Sequence, residues 1–120
     1  MNKEELKDRT KKFSLRIIKL AESLPETKSG RVIANQIIRS GCSVGANYRS
    51  ACRAKSNKDF INKLNIIEEE SDETLFWLEL IEEGKLLKPN LLVDLKKEAD
   101  ELTTIFTAAG KTSKIKLKQN

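Results

Sequence analysis

The chain contains no histidine. That removes the commonest general base and the commonest transition-metal ligand. Punctuation is sparse too, with two prolines, five glycines and 5% aromatics in 120 residues. Such a balance disfavours a β-sandwich, a barrel or a linker and favours long helices. No apolar run approaches the roughly 18 residues of a membrane span. The opening Met1-Asn2-Lys3-Glu4-Glu5-Leu6-Lys7 lacks the apolar core of a signal peptide, so no membrane association and a cytoplasmic location are expected. The two cysteines, Cys42 and Cys52, fall in one expected helix. At helical rise they stand about 15 Å apart, too far for a bridge, and without histidine they make a poor metal site. Both are expected reduced and mostly buried.

A length of 120 residues and a mass of 13.6 kDa argue for one domain, able to bury roughly two-thirds of its unfolded surface without a disulfide or metal. Charged residues make up 34%, and the net charge of +5 hides an asymmetry. Residues 1–63 carry 15 Lys/Arg and 6 Asp/Glu, residues 64–109 carry 4 and 12, and residues 110–120 carry 4 lysines and no acid. Two readings stand. The halves neutralise each other in the fold or between subunits, or the basic part is a polyanion-binding face.

Apolar spacing predicts four helices. The first runs from about Lys3 to Leu24, with Leu6, Phe13, Ile17, Leu20 and Leu24 on one face and Pro25 as its stop. The second runs from about Lys28 to Ala54. Ser56-Asn57 caps a third, from about Lys58 to Leu87. Pro89 or Asn90 opens a fourth, striped by Leu92, Leu95, Ala99, Leu102 and Phe106 and ending near Gly110. Four helices with short connections predict an all-α, antiparallel up-down bundle over residues 1–110, followed by a basic, flexible tail over 111–120. The core is expected to comprise Phe13, Ile17, Leu20, Ile33, Ile37, Val44, Leu64, Ile67, Leu75, Leu78, Leu95, Leu102 and Phe106.

Helices 2 and 3 carry more pattern than a bundle needs. On helix 3 the core stripe is Phe60, Leu64, Ile67, Ser71, Leu75, Leu78 and Ile81, yet Ile66, Phe76, Trp77 and Leu80 gather on the opposite side with Glu69 and Glu73. A monomer should leave that side polar; large aromatics there point to a subunit interface. The competing reading is that the bundle or the tail covers them. On helix 2, Gly41 and Gly45 lie in a stripe of mostly small residues, a sign of close backbone approach expected at the same interface, against a locally weakened helix or a kink. On its remaining side lie Arg31, Arg39, Arg49 and Arg53, spread over about 33 Å of helix.

The run Ile37-Ile38-Arg39-Ser40-Gly41-Cys42-Ser43-Val44-Gly45-Ala46-Asn47-Tyr48-Arg49 resembles the helix 2 signature of the four-helix-bundle family encoded by 23S rRNA intervening sequences. The match continues through Arg53-Ala54-Lys55-Ser56 and Asp59-Phe60, and resumes at Asp72-Glu73-Thr74-Leu75-Phe76-Trp77-Leu78-Glu79-Leu80. It covers roughly residues 10–110. The resemblance implies a small basic bacterial protein with no known enzyme activity, assembled as a ring-like homopentamer of up-down bundles. Accessory proteins of diversity-generating retroelements look similar, which implies nucleic acid and a reverse transcriptase as possible partners. Where many relatives place an acid soon after the Ala-Asn pair, this chain has Tyr48-Arg49-Ser50.

Two functions compete. One is a nucleic-acid-binding scaffold, RNA or DNA, using Arg31, Arg39, Arg49 and Arg53 with Lys11, Lys12 and Arg16 of the Lys/Arg-rich helix 1 and the lysines of the tail; guanidinium groups match phosphate oxygens. Arg49 and Arg53 could instead pair with helix 3 acids of a neighbouring subunit. The other is a protein-interaction adaptor built on the second apolar side of helix 3. Catalysis is not expected. The acids Glu68, Glu69, Glu70, Asp72 and Glu73 lack the histidines of a di-metal bundle, and Ser40 and Ser43 have no base nearby in sequence. No cofactor is expected.

Overall fold

Asn2 starts the first helix. Its side chain accepts from the Glu5 N–H and donates to the Glu5 carboxylate, both at 2.8 Å, a reciprocal cap on the first turn. Helix α1 then runs Lys3–Glu22, α2 Lys28–Ala51, α3 Asn57–Glu83 and α4 Val93–Gln119, in a computed structural model that describes residues 1–119. Thr27 caps α2 by accepting from Gly30 N–H, and Ser56 caps α3 by accepting from Asp59 N–H, each at 3.1 Å. A 3-10 turn at Pro89–Leu91 leads into α4. No strand occurs among the described residues.

Helices adjacent in sequence pack side by side in an antiparallel up-down bundle 52 Å long and 23 by 20 Å across. Ser14 of α1 donates to the Gly41 carbonyl of α2 at 3.0 Å. Thr74 of α3 donates to Ser40 of α2, and the Ser71 and Thr103 hydroxyls link α3 to α4, both at 2.9 Å. The Tyr48 and Phe106 rings meet across the core at 5.5 Å. The residues expected in the core are buried, except Leu75, which is half-buried against it. On α3 the buried stripe is rotated slightly from the expected one: Ile61 and Thr74 are buried, whereas Phe60 and Leu75 are half-buried. The reason is that α3 turns its Thr74 side toward α2, where the Ser40 hydroxyl bonds it.

Three expectations need correction. First, α2 and α3 end before Ala54 and Leu87. Lys85 stops α3 by adopting φ 56°, with Leu86 N–H on the Ile81 carbonyl at 2.9 Å and Lys85 N–H on Glu82 at 3.0 Å, the hydrogen-bond pair of a Schellman cap. Second, α4 does not end near Gly110; it continues to Gln119, because Gly110 keeps a negative φ and is buried within the helix. Of the segment expected to be a flexible tail, residues 111–119 are therefore helical, and Asn120 lies outside the described residues. Third, Gly41 and Gly45, assigned to a subunit interface, face α1 of the same chain. A Cβ on Gly41 would stand 2.8 Å from Ile17 Cγ2, and one on Gly45 would stand 3.3 Å from the Thr10 carbonyl oxygen. The close backbone approach is real, but it is the α1–α2 seam.

Candidate nucleic-acid and subunit interfaces

The antiparallel register sorts the charges along the bundle axis. The Ser14–Gly41, Ser40–Thr74 and Ser71–Thr103 contacts set the helices in register. At the end that joins α2 to α3 lie residues 1–11, 45–69 and 105–119, which carry 13 Lys/Arg and 6 Asp/Glu. The waist (12–18, 38–44, 70–76 and 98–104) carries 3 and 6. The far end (19–37 and 77–97) carries 7 and 6. One pole is thus strongly basic, the middle acidic and the other pole close to neutral.

Within this field the expected arginine stripe divides. Arg39 leans over the α2–α3 seam, donating to Glu70 at 3.0 Å and to Glu73, with Gln36 accepting at 3.3 Å. It is a structural residue of the acidic waist rather than a free cation. Arg9 closes the opposite seam. It donates from Nε and Nη2 to the two Glu98 oxygens at 2.8 and 2.6 Å and to Glu101 at 2.8 Å. Its hydrogen bonds to Glu98 raise its already high pKa. Arg31, at the far end, donates to the Glu26 carbonyl at 2.8 Å. Lys12 pairs with Asp8 at 2.8 Å in full solvent, a contact that raises its pKa but contributes little. Arg16 and Lys19 line a cavity of about 340 Å³ with Leu91 and Asp94 near the α3–α4 connection, away from the basic pole.

The divergence follows from helix geometry. Arg31 and Arg39 are eight residues apart, which displaces them by about 80° around the helix. Arg49 returns to the side that faces α1. There it lines a groove of about 380 Å³ with Lys7, Lys11, Ser14 and Gly45, alongside Glu4 and Asp8. Arg53, one turn further, is exposed. Among the described residues Lys11, Arg49 and Arg53 form no ion pair. Of the candidate phosphate ligands, these three are unpaired and belong to one pole.

The outer side of α3 is as apolar as its sequence suggested. Phe76 is 50% exposed, Ile66 39% and Leu80 36%. Trp77 is half-buried, its indole N–H donating to Glu73 at 3.0 Å and its ring edge-on to Phe76 at 5.2 Å. Leu15 and Ile18 of α1 and Val32 of α2 are also exposed. They were not singled out in the sequence, although their positions outside the α1 and α2 core stripes could have marked them.

The family model for the 23S rRNA-intervening sequence protein matches residues 2–108. The chain belongs to that family. A solved structure shares 35% identity with it at a TM-score of 0.84, over 92% of this chain and 99% of the other. That protein is described as one of unknown function from the S23 ribosomal protein family of Bacteroides thetaiotaomicron VPI-5482. Among curated proteins none matches. The matched span of the intervening-sequence family takes in α1 to α3 and most of α4, so the acidic waist, Arg39, Arg49 and the α3 apolar side all lie within it. The helical residues beyond 108 do not.

Cys42 and Cys52 are free, half-buried thiols, and burial pushes the Cys42 pKa up, away from thiolate character. The Ser40 hydroxyl contacts Thr74 and the Ile37 carbonyl, and Ser43 accepts from Asn47 at 2.7 Å; neither touches a base. Among the described residues no three His, Cys, Asp or Glu side chains are placed to share a metal ion, and no helix is long and apolar enough to cross a membrane.

Proposed function

We propose that this intervening-sequence family member is a non-enzymatic, self-associating bundle that binds the phosphate backbone of structured RNA or duplex DNA at its basic pole. The observation that carries this reading is the separation of paired from unpaired arginines. Arg9 and Arg39 are neutralised by acids of α4 and α3, whereas Arg49, Arg53 and Lys11 stand exposed without carboxylate partners where 13 bases meet 6 acids. Such a field attracts a polyanion, and each neutralised phosphate releases counterions. Aromatic surface for stacking is scarce there: Tyr48 and Phe106 are buried against each other, and Phe60 is half-buried. Binding should therefore follow backbone charge and shape rather than sequence.

Self-association is supported by the exposed Ile66, Phe76 and Leu80, since a solvated helix face is normally polar. A ring would multiply the basic pole and convert weak contacts into avidity. The test is a gel shift with structured RNA and duplex DNA at about 50 mM salt, where phosphate contacts are strongest, with oligomeric state measured in parallel. Arg49→Glu/Arg53→Glu should weaken the shift for both nucleic acids and leave the assembly intact. Loss of assembly would instead mean that these arginines pair with acids of a neighbouring subunit. Wild-type protein that shifts neither nucleic acid would favour the α3 apolar side as a dock for a protein partner.

A further inference from the structure

Helix α4 outlasts α1. The Ser14–Gly41, Ser40–Thr74 and Ser71–Thr103 contacts set the four helices in register, so at equal rise α1 begins level with about residue 112, and α4 continues to Gln119. Its neighbour over this stretch is the start of α3: the Asn65 side chain oxygen lies 3.9 Å from where a Cβ on Gly110 would stand. Beyond Glu101 the described part of α4 contains no acid, and it carries Lys111, Lys114, Lys116 and Lys118. Lys111, Lys114 and Lys118 recur at i, i+3 and i+7, so they share one face, and all are exposed. They cover about 10 Å of helix length. Before Glu68, α3 contributes Lys58 and Lys63 against one acid, Asp59.

We infer that α4 beyond Gly110 is a second nucleic-acid contact, a basic helical arm whose Lys111, Lys114 and Lys118 face engages the phosphates of a duplex independently of Arg49 and Arg53. The inference rests on the basic-pole reading and extends it to residues outside the family match. Charge complementarity selects the ligand. A membrane-surface helix needs a continuous apolar side, but the two large apolar residues, Ile115 and Leu117, are two positions apart and point to nearly opposite sides. The lysines also sit at the negative end of the helix dipole, where cations favour helix formation, so the arm is a helix before any ligand arrives. α2 and α4 each pack on α1 and α3 rather than on one another, so they stand diagonally across the core. The arm and Arg49 thus occupy opposite corners of one pole and present separate basic surfaces.

The test uses the full chain with Lys111→Gln/Lys114→Gln/Lys118→Gln, a change that keeps helix propensity, with Lys116→Gln as a single-charge control. Affinity for a 20-bp duplex DNA probe is measured against salt, alongside binding to phosphatidylserine-containing vesicles. The expected result is a slope of log affinity against log salt reduced by about 2–3, since each phosphate contact contributes about 0.9, with helicity unchanged. A triple variant with the wild-type slope, in a protein whose Arg49→Glu/Arg53→Glu form binds more weakly, overturns the arm and leaves the basic-pole reading standing. A triple variant that loses vesicle binding and keeps duplex binding overturns it in favour of a membrane contact. Wild-type protein that does not bind the duplex overturns both readings.

Discussion

One carboxylate oxygen of Glu73 accepts from both the Arg39 guanidinium and the Trp77 indole. This ties α2 to α3 at the acidic waist and fixes the edge of the exposed apolar side. Because Trp77 is the only tryptophan, its emission reports the contact. Glu73→Ala should shift the fluorescence and lower stability by about 0.5–1 kcal/mol, a small loss because both partners are partly solvated. Unchanged emission would mean that Glu73 does not hold the indole in solution.

Arg9 performs the corresponding task across α1 and α4, and it is more buried. Arg9→Ala leaves Glu98 partly buried without its bidentate partner and should cost about 1–3 kcal/mol in chemical denaturation. Arg9→Lys should recover little of this, since an ammonium cannot reproduce the two parallel bonds to Glu98. Full rescue by lysine would reduce the clamp to simple charge attraction.

Phe76→Glu places a charge on the exposed part of the α3 apolar side while sparing the core. Light scattering coupled to size exclusion should show a smaller species than the wild type, with circular dichroism unchanged. A wild type that is already monomeric would remove α3 as a self-association surface.

Much of the fold could be read directly from residue spacing. Phe13, Ile17, Val44, Leu64, Leu78, Leu102 and Phe106 recur at three- and four-residue intervals and are all buried. Thr74 escaped because a hydroxyl reads as polar until the facing Ser40 is known. The helix ends escaped for a conformational reason. Gly110 resembles a stop, yet a Schellman stop needs a left-handed residue, and that residue is Lys85. Gly41 and Gly45 announced a close approach without saying which backbone approaches. The candidate site was half legible: the arginines were visible, but which of them meet acids depends on helix rotation against α1 and α3, as Arg39 and Arg49 show.

Lys85 pays for its cap with a left-handed backbone that glycine adopts at little cost. Lys85→Gly should therefore stabilise the protein by about 0.5–1 kcal/mol, after allowing for the greater freedom of glycine in the unfolded chain. A loss of stability would show that the Lys85 side chain contributes more than its strain.

Burial, with Cys52 beside it, pushes the Tyr48 pKa up to about 12, from an ordinary value of 10.0. The folded state therefore retains the phenol proton more tightly than the unfolded state. The stability this contributes is fully present below pH 10 and is lost as pH rises through about 12. Tyr48 is the only tyrosine, so phenolate absorbance should titrate near the raised value in folded protein and near the ordinary one in denaturant. Titration near the ordinary value in folded protein would contradict its burial.

On the proposed reading, nucleic acid meets the unpaired Arg49 and Arg53 of the basic pole and not the paired Arg9 and Arg39. The most direct measurement is the salt dependence of duplex binding by Arg49→Ala and by Arg39→Ala. The predicted result is a slope of log affinity against log salt smaller by about 1 for Arg49→Ala and unchanged for Arg39→Ala. Equal slopes for both variants, or a reduction confined to Arg39→Ala, would contradict the assignment.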